Sequence, residues 1–238
     1  MTVRNQLDEL LKRKQLLESR AIGTAGFVSR LRELSAWQAA RLSRTYDDLH
    51  ADPRYSGAVD FFLRDLYGPQ DFTDRDRELT RALRYLKRAL PAAALNVLER
   101  AIELQVVTAE LDHAMVSALA PGSVTDRTYA AAYHRVGRRD VRMRQIDLVV
   151  AIGEDLIRIV RHTWIALALR AAHGPARAAG FAELQSFLER GFATFRELKS
   201  PQDFLFVIRA REMNLMNTLL GGDRTAGAAP SMAERTDV

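Results

Sequence analysis

Residues Phe61–Asp76 read FFLRDLYGPQDFTDRD, and this stretch writes out a helix stop, a tight connection and a helix start. Phe61, Phe62, Leu63, Leu66 and Tyr67 place large apolar groups on one side of a short helix. Gly68 tolerates the left-handed conformation just past a helix end, and Pro69 cannot continue the hydrogen-bond ladder. Thr73 then stands at an N-cap, with Asp76 at the capping-box position and Asp74 near the positive end of the next helix dipole. Two helices are expected to meet at a defined corner. Asp65, Tyr67, Asp71 and Asp76 also gather polar groups around the connection. Asp and Thr favour caps and turns for local hydrogen-bonding reasons, however, so the architectural reading of the corner is preferred to a ligand-orienting one.

Working outward, helical periodicity dominates in both directions. Leu7, Leu10, Leu11 and Leu17 mark a first amphipathic helix, and Phe27, Leu31, Leu34, Leu42, Tyr46 and Leu49 a long second one. Downstream of the corner, Leu79, Leu83, Leu86 and Leu90 recur at helical spacing. Pro91 can open a helix that runs to about Leu119 before Pro121-Gly122. Ser123 or Thr125 can cap a shorter helix through Tyr129 and Tyr133 that ends near Gly137. A long helix from about Arg138 to Ala172 follows, which His173-Gly174-Pro175 is expected to stop. Two phenylalanine-rich helices close the pattern, with Ser200-Pro201 between them. With no strand-like alternation, hairpin signal or internal repeat, the fold class is all-α, a bundle of about seven to nine helices without a sheet. Residues 1–220 are read as one helical domain in which 1–20 form a peripheral helix. Residues 221–238 are too polar to repay their ordering entropy and are read as a disordered tail.

The stretch FFLRDLYGPQDFTDRD resembles the signature of an uncharacterised family of bacterial all-helical proteins with an FFLxDLYGPxDFxxRD-type motif. The resemblance extends over most of residues 20–220. It implies no activity, cofactor or functional residue.

The 238 residues are 47% hydrophobic, enough for a substantial core, and contain no cysteine. Disulfides, thiolate metal sites and cysteine nucleophiles are therefore excluded. The N-terminus MTVRNQLDELLKRKQLLESR mixes charge with leucine and lacks the apolar run of a signal peptide; no later window reaches the length of a membrane span. A soluble, cytoplasmic protein is expected. The formal charge is +5, carried mainly by arginine. That is weak evidence for a polyanionic partner.

Three constellations could carry function. Glu110 and His113 form the E-x-x-H unit used in duplicate by helical di-iron proteins, since residues three apart share a face and can reach one ion. Glu99 and Glu103 extend the stripe, whereas the second pair, Asp47 and His50, falls on a polar face. A helical metal or haem oxidoreductase using Glu110 and His113 is the enzyme alternative. Arg77, Arg81, Arg84 and Arg88 line the face opposite the leucines of their helix, and Arg135, Arg138, Arg139, Arg142 and Arg144 make a second basic cluster. Guanidinium forks suit phosphate or carboxylate, so a polyanion-binding surface is a further alternative, with nucleic acid possible but not favoured. Phe181, Phe187, Phe192, Phe195, Phe204 and Phe206 cover more than one helix face; core packing is the preferred reading, and self-association the alternative. No serine elbow or histidine partner pattern supports nucleophilic catalysis. The leading expectation is a non-enzymatic helical binding or scaffold protein that works through helix-mediated association, as a homodimer.

Overall fold

The computed structural model describes residues 3–66, 78–83 and 92–221, and all regular structure among them is helical. The helices are α1 (Val3–Ile22), α2 (Phe27–Thr45), α3 (Asp47–Ala51) and α4 (Ser56–Phe61), the last running into a π-helical turn at Phe62–Leu66. They continue as α5 (Ala92–Ala118), α6 (Asp126–Val136), α7 (Arg139–Ile159), α8 (Thr163–Ala178), α9 (Ala182–Glu197) and α10 (Pro201–Gly221). Residues 78–83 add a further helical piece. The connection and N-cap expected at Gly68–Asp76 lie outside the described residues, as does the polar tail.

The helix signals act where local chemistry is strong. Thr125 caps α6 by accepting from the Thr128 backbone N–H at 3.2 Å, while the Thr128 hydroxyl accepts from the Thr125 N–H at 2.8 Å. Each side chain satisfies a donor that the helix start would leave open. Gly137, with φ 60°, ends α6 in the left-handed region.

Two boundaries differ from the sequence expectation. The long helix expected from Phe27 to Leu49 breaks at Tyr46, whose ring is buried and whose hydroxyl donates to Glu212 at 2.8 Å. The helix expected from Arg138 to Ala172 is split between α7 and α8, and α8 continues through His173-Gly174-Pro175. Pro175 falls in the last turn of α8, on an exposed side, where the carbonyl it strands can be hydrated. The true stop is Gly180, at φ 77°. There the Phe181 N–H reaches the Ala176 carbonyl at 2.8 Å, the six-to-one bond of a Schellman ending.

Helices α5 and α7 are the central pair. They pack on each other, α5 also on α1, α2 and α6, and α7 also on α10 and α9. The pairs Arg100–Asp155, Thr108–Gln145 and Met115–Arg142 show that α5 and α7 run antiparallel. Asp147–Arg209 and Arg139–Asn217 show the same for α7 and α10. One apolar cluster gathers Tyr55, Phe61, Ile157, Phe195 and Phe204, with Tyr55 stacked on Phe204 at 5.5 Å. A second gathers Leu34, Met115, Tyr129, Ile146 and Met216, and a third Leu7, Leu83, Leu95 and Ile102. Phe195 and Phe204 are thus core residues, whereas Phe206 is 72% exposed. In its second half α7 approaches α10 so closely that a Cβ added at Gly153 would stand 2.5 Å from a methyl of Leu205.

Candidate functional site

Four helices turn one stripe each towards a common point. Gln38, Arg41 and Leu42 come from α2, Thr108, Leu111, Asp112 and Met115 from α5, Arg142, Gln145, Ile146 and Val149 from α7, and Phe204, Ile208, Glu212 and Leu215 from α10. Spacings of three and four place such residues on one helix face. Where the stripes converge they leave a cavity of about 140 Å³, to which Tyr129 and Tyr133 of α6, Val59 of α4, and Phe62 and Leu63 of the π-helical turn add walls. The wider π turn sits where π-helical geometry is often found, beside a cavity.

The polar groups of this cavity are unequally matched. Arg41 forms a forked pair with Glu212, at 2.8 and 3.3 Å, and Glu212 also accepts from Tyr46. Burial works against the Arg41 charge, but Glu212 more than restores it and raises the guanidinium pKa. The Nε of Arg41 is nevertheless buried with no hydrogen-bond partner. A buried donor left unmet costs about 1–3 kcal/mol, so orphans of this kind are rare without a cause.

Arg142 is 5% exposed. Its Nε donates to the Gly137 carbonyl at 2.9 Å, one Nη faces the Met115 sulfur at 3.5 Å, and its guanidinium lies 3.4 Å from the centre of the Tyr133 ring. Among the described residues it makes no ion pair. Asp112 is the nearest candidate counter-charge by electrostatic influence, yet its carboxylate accepts from Gln38 Nε2 at 3.0 Å and makes no hydrogen bond to Arg142. Burial pushes the Asp112 carboxyl up to about 6, against the opposing pull of Gln38 and Arg142. Asp112 keeps some accessible surface despite its depth, and it is among the residues that line the cavity. Burial likewise raises the Tyr133 phenol to about 12 and raises Tyr129, whose ring stacks on Trp37 at 3.9 Å. Guanidinium and phenol donors on a wall that also carries Gln38, Thr108 and Gln145 can hold a small molecule by its acceptor end while the apolar side chains enclose the rest.

Of the described residues singled out from sequence for function, Arg142 and Phe204 line the cavity and the others lie elsewhere. Glu110 pairs with Arg13 of α1, and His113 meets the edge of Phe27 at 5.0 Å between ring centres. Burial and then Arg20 hold the His113 pKa down. Glu103 pairs with Arg144, and burial followed by repulsion from Glu103 raises the Glu99 carboxyl. His50 faces Asp60 at 3.2 Å, while Asp47 is exposed. Among the described residues no group of three or more His, Asp or Glu side chains is placed to hold a metal ion. Arg77, Arg84 and Arg88 lie outside the described residues; Arg81 donates to the Gly180 carbonyl at 2.8 Å and lies over Phe181. The second arginine cluster is dispersed: Arg135 reaches the Ala118 carbonyl, Arg139 reaches Asn217, and Arg142 turns inward. That inward turn is a correction to the surface reading of Arg142, and it follows from the stripe Arg142–Ile146–Val149 being the face that α7 buries.

Gln38, Arg41, Asp112, Tyr129 and Glu212 were not among the sequence candidates. The signal for them is a polar residue inside an apolar stripe: Gln38 and Arg41 extend the line of Leu31 and Leu34, and Asp112 lies between Leu111 and Met115.

Neither a curated protein nor a solved structure shows significant similarity to this chain. Residues 20–226 match the model of a family described as a domain of unknown function, DUF8198, and the chain belongs to that family.

Proposed function

We propose that this protein is a helical binding protein that holds a small, partly apolar molecule in the cavity between α2, α5, α6, α7 and α10. The observation that carries this reading is the buried, partly unmatched polar set of Arg41, Asp112 and Arg142 around open space. Protein interiors are close-packed, and buried polar groups are normally satisfied within them. A volume of this size beside a buried donor without a protein partner has room for a ligand. The volume, about 140 Å³, is close to the ~150 Å³ that accommodates benzene in an engineered apolar cavity. A ligand built on a single ring is the expected size. The test is titration with toluene, benzyl alcohol and indole, followed through Trp37 in a Trp164→Phe background. Saturable binding of one molecule per chain, weakened when Leu215→Phe fills the space, is expected. Absence of binding by all three at millimolar concentration would overturn the reading.

A second reading, association between two copies of the chain, draws on α8. No residue of α8 is buried, and Trp164 and Leu167 are 56% and 64% exposed. With Ala168 and Ala171 they make an uncharged stripe with small residues, which suits close approach of an identical helix. Sedimentation should show a dimer that Trp164→Glu dissociates; a monomer across the micromolar range would remove this reading. No helix among the described residues is long and apolar enough to cross a membrane. A cytoplasmic setting, helix-mediated partners and polyanion binding through the Arg77–Arg88 stripe remain proposals of the sequence.

A further inference from the structure

We infer that the ligand of the cavity carries a carboxylate, seated on Arg142, with its apolar part directed towards Val149, Ile146 and Leu215. The inference rests on the cavity being a binding site, and it concerns the charge that site is built to receive.

Charge matching around the cavity supplies the argument. Arg41 has its own carboxylate in Glu212, in forked geometry, with Tyr46 as a further donor to the same oxygen pair. Arg142 has no such partner. Its backbone acceptor is the Gly137 carbonyl, a thioether sulfur is a weak substitute for a second, and its further side-chain neighbour is the uncharged Tyr133 phenol. The ring of Tyr133 beneath it offers cation–π attraction but no counter-charge. A guanidinium removed from water without an anion is one of the more expensive arrangements in a protein interior. Of the other charged or ionisable groups around the cavity, Asp112 alone acts on it, through space and without a hydrogen bond. Asp112 of α5 spends its hydrogen bond on Gln38, Glu212 of α10 is committed to Arg41 and Tyr46, and Tyr129 and Tyr133 of α6 are phenols held neutral by burial.

The setting of Arg142 therefore suits an anion delivered from outside. The cavity walls specify its type. Leu42, Leu63, Leu111, Ile146, Val149 and Leu215 favour an anion with an apolar remainder over an inorganic one, although Thr108, Gln145 and the phenols add donors. A planar carboxylate needs only one guanidinium fork and presents an apolar remainder to those side chains. The unmet Arg41 Nε on the same cavity can serve a second acceptor, such as a hydroxyl or carbonyl on the ligand. The class is a small monocarboxylate with a compact apolar body, aromatic or branched aliphatic.

The experiment compares probes of one shape and different charge: benzoate, benzamide and toluene, titrated into the intact chain by calorimetry at pH 7. Benzoate is expected to bind at least about tenfold more tightly than benzamide, as expected for a charge-assisted hydrogen bond in a buried site. Arg142→Met should abolish that preference while toluene still binds. The probe comparison needs no variant, so the test stands even if Arg142→Met fails to fold. Equal affinity for benzoate and benzamide would overturn the carboxylate assignment and leave the cavity reading intact. Binding of none of the three would overturn both.

Discussion

The two halves of α7 treat buried charge in opposite ways. In the second half, Asp155 is buried and flanked by Arg100 of α5 and by Arg158 one turn on, so its negative charge meets two guanidiniums. Beside it Gly153 lets Leu205 of α10 close to contact. In the first half, Arg142 is equally buried, but the nearby carboxylate of Asp112 is turned to an amide, and the helices stand apart around about 140 Å³. The same residue types build architecture where they are matched and packed. Where they are unmatched beside open volume they form the proposed binding site.

The contrast can be broken by mutation, and the largest effect is expected in the closed half. Asp155→Ala should cost about 2–3 kcal/mol in urea unfolding, less than for a wholly buried pair because both arginines are partly exposed and can return to water. A change below about 0.5 kcal/mol would mean that the matched ions contribute no more than a surface pair. Gly153→Ala should cost about 1–3 kcal/mol, since its Cβ would stand 2.5 Å from a methyl of the buried Leu205, which must shift.

In the open half the signs change. The folded-state pKa of Asp112 lies above the ordinary carboxylate value, so the native state holds its proton more tightly than the unfolded chain. Stability is then lost as pH rises between about 4 and the folded value of about 6, and Asp112→Asn removes that loss. The variant should be more stable than wild type by about 2–3 kcal/mol at pH 8 and about equal to it near pH 4. A variant less stable at pH 8 would show that Asp112 does pair with Arg142. The smallest effect belongs to Val149→Leu, an added methylene facing the cavity, which should change stability by less than about 1 kcal/mol while weakening toluene binding. A cost as large as that of Gly153→Ala would mean that both halves of α7 are equally tight.

Much of the architecture was legible in the sequence, because the elements concerned are governed by local chemistry. The Thr125 cap, the end of α6 at Gly137 and the stretch from Ala92 to Ala118 all follow from side chains within a turn of the feature they set. Boundaries decided at a distance were not legible. Tyr46 breaks α2 from α3 where its hydroxyl reaches a carboxylate 166 residues away, and the α7–α8 break carries no glycine or proline. The cavity was the least legible part. Gln38, Arg41, Asp112 and Arg142 are visible as polar residues on apolar stripes, but whether each finds a partner depends on which stripes converge. The sequence pattern suggested instead an arginine surface, of which Arg77, Arg84 and Arg88 lie outside the described residues, and an E-x-x-H pair, whose Glu110 meets Arg13 and whose His113 meets Phe27. The candidate site comes instead from four helices of distant sequence.

The most direct test of the central claim is a calorimetric titration of benzoate into the wild-type chain at pH 7, run beside the cavity-filled Leu215→Phe variant. The account predicts one saturable site per wild-type chain and a loss of at least about tenfold in affinity when the volume is filled. Equal binding by the two proteins would place the ligand outside the cavity and contradict the account.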